Sequence, residues 1–492
     1  MKMVVSSTLK LALVLVTVGL IGPSAEADIL IHPDRTDITA AEDFLDGMIV
    51  VEVLNCPPWE DFLYVSTDTG QTWENLGSGT SSDTGLTKAF SFAADGDSSS
   101  FYMLYDSEEE IPRTLELYRF DREGSHGHFV NIAPEGINAH EFAGCTDHLG
   151  PEHWIYICVV DTDPPLPSEA LMFLRSTDYG NDWFPPVDSY PLVVREPYLT
   201  AGAGSHIYFT GRTGARGDSL IVWTNRNRLE PGYWQFDWID TDGDQIESPI
   251  VAASFSPDDS LTTVWCAYSR NRNNSGNWDI EFVYSTDGGT TWSEPFPLAA
   301  SPDDAERFFD LKSWRGPNGD EVSIAYIASN GSENIIYWRS ARAGQPAVWS
   351  EPVRMNQVNA APGKRVRPKL CHLAGHPGFG VGVIYVAQDG SGCWWSTVYQ
   401  GGQQEPEPAG RNGGSLLVTP RVGTGPFRIA GVESGRSLNL VDRSGRVVRK
   451  LLTAENGTLW DGRDGQGRFL PSGVYFVRLG DGAYQTRVVL LR

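Results

Sequence analysis

The chain reads as an all-β protein built from similar sheets, and a repeated octapeptide, its spacing and the composition carry that reading. The octapeptide is Ser285-Thr286-Asp287-Gly288-Gly289-Thr290-Thr291-Trp292, preceded by the apolar run Ile280-Glu281-Phe282-Val283-Tyr284. That order predicts a strand running into a tight turn. The Asp287 carboxylate folds back onto turn N–H groups, and Gly288 and Gly289 take the positive φ such a turn needs. The string returns as Ser66-Thr67-Asp68-Thr69-Gly70-Gln71-Thr72-Trp73 and as Ser176-Thr177-Asp178-Tyr179-Gly180-Asn181-Asp182-Trp183. The tryptophans lie 183 − 73 = 110 and 292 − 183 = 109 residues apart, and a decayed copy, Ser340 to Gly344 leading to Trp349, follows 349 − 292 = 57 residues later. Marked and unmarked units therefore alternate, and half the longer spacing is the length of a four-stranded propeller blade. Gly 52, Pro 31 and Trp 16, with few helix-periodic stretches, agree with many short strands and turns.

The pattern S-x-D-x-G-x-T-W resembles the Asp box of bacterial neuraminidase repeats. The resemblance implies a β-propeller with each box on the outer hairpin of a blade, away from the ligand face. Asp68, Gly70, Trp73, Asp178, Gly180, Trp183, Asp287, Gly289 and Trp292 are then structural residues. The family includes the sialidases, but the motif speaks for the fold far more than for the activity.

Composition bounds the partners. A formal net charge of −25 argues against a nucleic-acid backbone or an anionic membrane. Residues 1–27 read as a secretory signal peptide: Lys2 and Lys10, the apolar run Leu11-Ala12-Leu13-Val14-Leu15-Val16, then the cleavage-type sequence Ala25-Glu26-Ala27. The expected mature protein starts at Asp28 and is secreted or held at the cell surface. No other run has the ~20 apolar residues of a membrane-spanning helix. All six cysteines lie beyond the leader; Cys145 and Cys158, flanking an expected hairpin, form the best candidate disulfide.

With the boxes as phase markers, residues 28–400 divide into seven units, with a six-bladed propeller as the alternative. The first holds Gly47 to Val53 and Phe62 to Val65; the second Ala89 to Phe92, Phe101 to Tyr105 and Leu115 to Tyr118. The third runs from about His140 to Trp183. The others open at Arg195-Glu196-Pro197, Glu247-Ser248-Pro249, Arg307-Phe308-Phe309 and Arg367-Pro368-Lys369. The seventh stops one strand short after Tyr399, and Ile29-Leu30-Ile31-His32 is the natural closing strand, because a closed ring has no open edges.

Residues 401–414, rich in Gly, Pro, Gln and Glu, read as a linker. Residues 415–492 carry Trp460-Asp461-Gly462-Arg463-Asp464-Gly465-Gln466-Gly467 and Pro471-Ser472-Gly473-Val474-Tyr475-Phe476-Val477-Arg478-Leu479. These strings resemble the FlgD-type immunoglobulin-like domain and the C-terminal sorting domain of type IX secretion substrates. That resemblance implies a small β-sandwich in contact with secretion machinery.

Three units open on arginine: Arg195, Arg307 and Arg367. The sialidase resemblance implies three arginines converging on a substrate carboxylate, whose two oxygens a planar guanidinium matches. Glu196, Glu247 and Tyr198 stand at similar openings. Local pairing of these charges is the plainer reading, and the first unit lacks the family's arginine string. The chain is therefore expected to act mainly as a glycan- or protein-binding module, with an exo-sialidase-type hydrolase acting on terminal acidic sugars as the alternative. Asp240, Asp242 and Asp244 alternate around Gly243 as in calcium loops, without the full EF-hand spacing, which makes them a candidate Ca²⁺ site. Trp234, Trp238, Trp314, Trp338, Trp394 and Trp395 suit either sugar stacking or packing between sheets, mostly the latter. No zinc-hydrolase, nucleophile-elbow or phosphate-loop motif is present.

Overall fold

A computed structural model describes residues 28–490 apart from 34–35, 44–47, 56–59, 81–86, 93–99, 107–114, 122–125, 130–131, 133–136, 148–153, 162–169, 184–185, 215–217, 255–261, 317–318, 365, 374–379, 400–416, 420–421, 424–425, 431–434, 443–445, 455–457, 472 and 480–484. The expected leader and linker lie outside the described residues. The chain forms two compact units that divide after Gly402. Among the described residues helix is confined to single 3₁₀ turns such as Ala203–Ser205 and Arg272–Asn274. No described helix is long and apolar enough to cross a membrane.

Among the described residues the first unit contains seven antiparallel sheets in chain order. The first comprises Thr36–Asp43, Ile49–Asn55, Glu60–Ser66 and Glu74–Thr80, and the second Thr87–Phe92, Ser100–Asp106, Leu115–Asp121 and His126–Phe129. The third is Glu141–Thr146, Ile155–Val160, Leu171–Ser176 and Asp188–Tyr190; the fourth is Arg195–Ala201, Ile207–Thr213, Ser219–Asn225 and Trp234–Ile239. Gln245–Ala253, Val264–Asn271, Trp278–Ser285 and Phe296–Ala299 make the fifth. The sixth has Ala305–Gly316, Gly319–Ser329, Asn334–Arg342 and Gln345–Trp349, with Val353–Arg354 also on its third strand. In the seventh, Lys369–Leu373, Gly380–Val386 and Cys393–Tyr399 are completed by Ile29–His32, with Ile29 opposite Trp395. The first strand of each sheet lies against the first strand of the next, and that of the seventh returns to that of the first, so these strands surround a common centre.

Apolar side chains fill the gaps between sheets, as two-sided burial requires. Phe173 of the third sheet, for example, meets Phe209 of the fourth edge-on at 5.2 Å. Trp338, Trp314 and Trp395 are buried, whereas Trp238 on the outer strand of the fourth sheet is 55% exposed. All five described cysteines are buried thiols outside any disulfide. The expected Cys145–Cys158 disulfide is not formed: Cys145 stands opposite Tyr156 and Cys158 opposite Ala143, two residues out of direct pairing. Burial pushes the Cys145 thiol well above its ordinary range.

Each Asp box joins the third and fourth strands of its sheet. In the first, Ser66 Oγ donates to Asp68 Oδ1 at 2.9 Å and accepts from Gly70 N at 2.7 Å, while Asp68 Oδ1 accepts Thr72 N at 2.9 Å. The second repeats these bonds with Ser176, Asp178, Gly180 and Asp182. In the third, Asp287 takes the N–H groups of Thr290 and Thr291, both at 2.9 Å. Trp73 and Trp183 each donate Nε1–H to the box glycine carbonyl, at 3.1 and 3.0 Å. Gly70 and Gly180 sit at φ 89° and 88°, where a side chain would be strained. The unmarked fourth sheet reaches the same end differently: Asn225 Oδ1 accepts from Asn227 N and Leu229 N, and its Nδ2 donates to the Glu230 carbonyl.

The second unit has a three-stranded sheet of Leu417–Thr419, Phe427–Ala430 and Thr458–Trp460. Its five-stranded sheet contains Val422–Gly423, Gln485–Leu490, Gly473–Leu479, Ser437–Asp442 and Val447–Leu452. Both contribute to one core that includes Phe427, Leu440, Trp460, Tyr475 and Val488. The turn after Trp460 is organised by Asp464, which accepts the N–H groups of Gln466 and Arg468, each at 2.9 Å.

Candidate functional site

The boxes and the charged residues occupy opposite ends of the sheets. In the fifth sheet Glu247 pairs across with Ser269, while Ala253 at the far end pairs with Val264, which in turn faces Ser285 of the box. The charged end therefore lies away from the boxes, where the first strands begin.

Those beginnings share one irregularity. The ladder slips between Arg195 and Tyr198, between Glu247 and Ile250, and between Arg307 and Phe309. Each slip contains a non-glycine residue at positive φ: Glu196 at 52°, Ser248 at 51° and Phe308 at 53°. Such bulges free a backbone N–H from the ladder and re-aim side chains, and strained residues of this kind gather at functional sites. Two of the freed groups are caught by the preceding sheet. Glu196 N donates to Glu141 Oε2 at 3.2 Å, and Ser248 N donates to Glu196 Oε2 at 2.7 Å. In the first sheet the ladder slips between Ile38 and Ala40, and the residue ahead of that slip is the buried Ile38 instead of a charge.

The bulges bring Glu196, Glu247 and Arg307 into one network. Arg212 Nε donates to Glu196 Oε2 at 3.0 Å. Lys364, from the segment leading into the seventh sheet, bonds Glu196 Oε1 and lies 3.6 Å from Glu247 Oε1. Arg307 Nε donates to Glu247 Oε2 at 3.1 Å, and its guanidinium lies 4.0 Å from the Trp278 ring centroid. Stacking and ion pairing together fix its plane. Burial pushes the Glu196 carboxyl up, but Lys364 and Arg212 outweigh it and hold the group below its usual value.

Of the three arginines expected to converge, only Arg307 enters this network. Among the described residues Arg195 and Arg367 form no ion pair. Arg195 is exposed and stands directly across from Arg212 on the neighbouring strand. Sequence reasoning missed Arg212 and Lys364. Lys364 belongs to a visible basic run, Lys364-Arg365-Val366-Arg367, whereas Arg212 becomes significant only through strand register.

The aspartates read as a calcium loop meet a guanidinium. Arg270, 4% exposed, bonds Asp242 Oδ2 at 2.8 Å, Asp244 Oδ2 at 2.9 Å and the Thr241 carbonyl at 2.9 Å. Asp240 Oδ1 accepts the N–H of Asp242 at 2.8 Å. Arg270 also reaches the fully buried Glu281 at 3.1 Å, and Glu281 accepts from Tyr268 at 3.1 Å. Among the described residues no group of three acidic, histidine or cysteine side chains is arranged to hold a metal ion.

No family model and no curated protein matches the chain. Solved structures do. A Dyadobacter fermentans protein of unknown function is 14% identical, with 78% of this chain and 100% of that chain covered and a TM-score of 0.45. The six-bladed β-propeller fucose lectin of Aleuria aurantia is 13% identical over 66% of this chain and 98% of that one, at 0.39. The endosialidase of phage phi92 is 10% identical over 95% and 88%, at 0.45. None of the three reaches a TM-score of 0.5, so the activities in these names stay with those proteins.

Proposed function

We propose that the first unit is a seven-bladed β-propeller, secreted or held at the cell surface, that binds an anionic group of a glycan or surface protein at the rim of blades four to seven. The second unit is read as an immunoglobulin-like sorting domain that engages secretion machinery. Support for the blade count is the order of the sheets and the closing of the seventh by Ile29–His32.

The observation that carries the binding reading is the Arg195–Arg212 pair. Two guanidinium-bearing residues face each other across a ladder, yet Glu196 bonds Arg212 and leaves Arg195 unmatched. Like charges directly opposite destabilise a sheet, so an incoming carboxylate or sulfate relieves that repulsion and gains a forked donor. Lys364, bonded to Glu196, adds a further cation beside Arg212 and Arg307, and a cluster of cations is the kind of place that draws an anionic group.

A hydrolase of sialidase type is the second reading. It is favoured by the single ammonium of Lys364 lying against both Glu196 and Glu247, which keeps two carboxylates close, as retaining glycosidases require. Binding is preferred because Glu196 is held ionised and has no proton to give a leaving group. Calorimetric titration with 3′-sialyllactose and with lactose, beside fluorophore release from a sialoside, tests both. Preference for the acidic sugar, lost in Arg195→Ala at unchanged melting temperature, is expected. Equal affinity for the two sugars refutes the anion site. Sustained release abolished by Glu247→Gln transfers the assignment to the hydrolase.

A further inference from the structure

The carboxylate of Asp28 sits at the seam where the two ends of the first unit meet. Its Oδ2 accepts three hydrogen bonds: from Tyr385 Oη at 2.5 Å, from Gln357 N at 2.7 Å and from Val358 N at 2.9 Å. The donors come from the second strand of the seventh sheet and from the segment that follows the sixth. Asp28 directly precedes the closing strand Ile29–His32, so these bonds tie the start of that strand to Gly380–Val386 of the seventh sheet and to the segment after the sixth.

All three donors are neutral, and the other carboxylate oxygen, Oδ1, is buried without a partner. Among the described residues no lysine or arginine pairs with Asp28. A half-buried carboxylate with one enclosed oxygen unmatched and no counter-charge is costly, and natural folds rarely leave one so. The sequence supplies a remedy. Ala25-Glu26-Ala27 is the cleavage-type motif at the end of the leader, and cutting after Ala27 turns the amide nitrogen of Asp28 into an α-ammonium. That cation is attached to the same residue, within reach of its own carboxylate.

We propose that leader cleavage between Ala27 and Asp28 completes a lock at the ring seam, the new α-ammonium of Asp28 serving as counter-charge to its own half-matched carboxylate. Cleavage adds one water across the Ala27–Asp28 amide: its oxygen goes to Ala27, which leaves as a carboxylate, and both its hydrogens go to the Asp28 nitrogen, which becomes an ammonium. Processing thereby stabilises the ring as well as releasing the protein. The inference rests on the leader reading and is independent of the proposed ligand.

The groups facing the ammonium set its pH response. They are the Asp28 carboxylate, the Tyr385 phenol and, nearby, the Cys393 thiol. Burial, with the Asp28 charge, raises the phenol, and burial raises the thiol, so both stay protonated in the working range. A free α-amino group titrates at roughly 8, and a carboxylate partner raises that value in the folded state. The added stability is therefore full below about pH 7.5 and is lost as pH rises through the folded value.

The test compares full-length chains to Arg492 that begin at Asp28, at Ala27 or at Ala25, each released from an N-terminal fusion, by calorimetric melting at pH 6.5 and 9.5. The Asp28 chain is expected to melt about 2 °C higher at pH 6.5, with the gap closing at pH 9.5. Asp28→Asn should remove the gap between starts. Intact mass of the exported protein should correspond to Asp28 at the N-terminus. Equal melting of the three starts at both pH values overturns the lock, and an exported chain starting elsewhere overturns the cleavage assignment, whatever the sugar titrations give.

Discussion

Gly70 offers the sharpest test of how the first and seventh sheets meet. A Cβ built there lies 2.1 Å from Trp395 Nε1 and 2.3 Å from its Cε2, and the residue sits at φ 89°. The indole has nowhere to go. Gly382 lies against its other side, where a Cβ would come within 1.8 Å of Cη2, and Trp73 stands edge-on at 5.7 Å. Gly70→Ala therefore incurs two penalties: about 1–2 kcal/mol for an L-residue in the left-handed region and about 1–3 kcal/mol for overpacking a rigid contact. Gly232→Ala is the internal control, since φ is 84° there and nothing lies within 4 Å of the added carbon. It should lose only the first amount. Urea unfolding at 25 °C should thus separate the two variants by about 1–3 kcal/mol. Trp395→Leu should recover part of the loss in the Gly70→Ala background, a coupling that a double-mutant cycle reads directly. Equal destabilisation of the two glycine variants, or strict additivity with Trp395→Leu, refutes the close approach.

Three further outcomes follow. Asp287→Ala removes the acceptor for Thr290 N and Thr291 N, so unfolding stability should fall by about 1–3 kcal/mol while ligand affinity of the folded protein holds, measured by urea titration and calorimetry. Arg270→Ala removes one of the two guanidinium groups bonded to the fully buried Glu281, leaving Arg272, and also frees Asp244, so a loss of about 1–3 kcal/mol is expected in the same urea assay. Burial pushes the Glu306 carboxyl up to about 7, and its Oε2 is buried without a partner. A carboxyl raised in the folded state stabilises at low pH and loses that contribution as pH climbs toward 7. Glu306→Gln should flatten the melting-temperature profile between pH 4.5 and 8 and raise the value at pH 8; an unchanged slope counts against it.

The architecture was legible where local chemistry repeats. The boxes place a turn by hydrogen bonds confined to eight residues, so they mark the third-to-fourth strand connection without knowledge of the rest. Ile29–His32 was legible as the missing strand because the seventh unit ends at Tyr399. The inner strand of the first sheet, Thr36–Asp43, was not. Its sequence TDITAAED lacks an apolar alternation, and the expected first unit accordingly began at Gly47. The rim shows the same divide. Glu196, Glu247 and Arg307 stand out because they open their units, and the structure brings them together. Arg212 enters through cross-strand register and Lys364 through the path of a connection, neither of which a linear pattern encodes. The aspartates of the expected calcium loop were found, but their partner Arg270 lies 26 residues beyond Asp244 on another strand.

Pairing Ile29 with Trp395 joins residues 395 − 29 = 366 positions apart. A ribosome adding about 5–20 residues per second makes the first strand roughly 20–70 s before its partner exists. Through that interval six sheets are able to form by neighbouring hairpins alone, each connection local and quick. The last bond pattern is of another kind, since it must bring the first strand of the unit back to its last, and contacts of such long sequence separation form slowly. Until then both partners offer unpaired strand edges, the template for joining a second molecule. Closure within a single chain is therefore decided at the seam, and slow closure at high concentration favours exchange of the first strand between two chains.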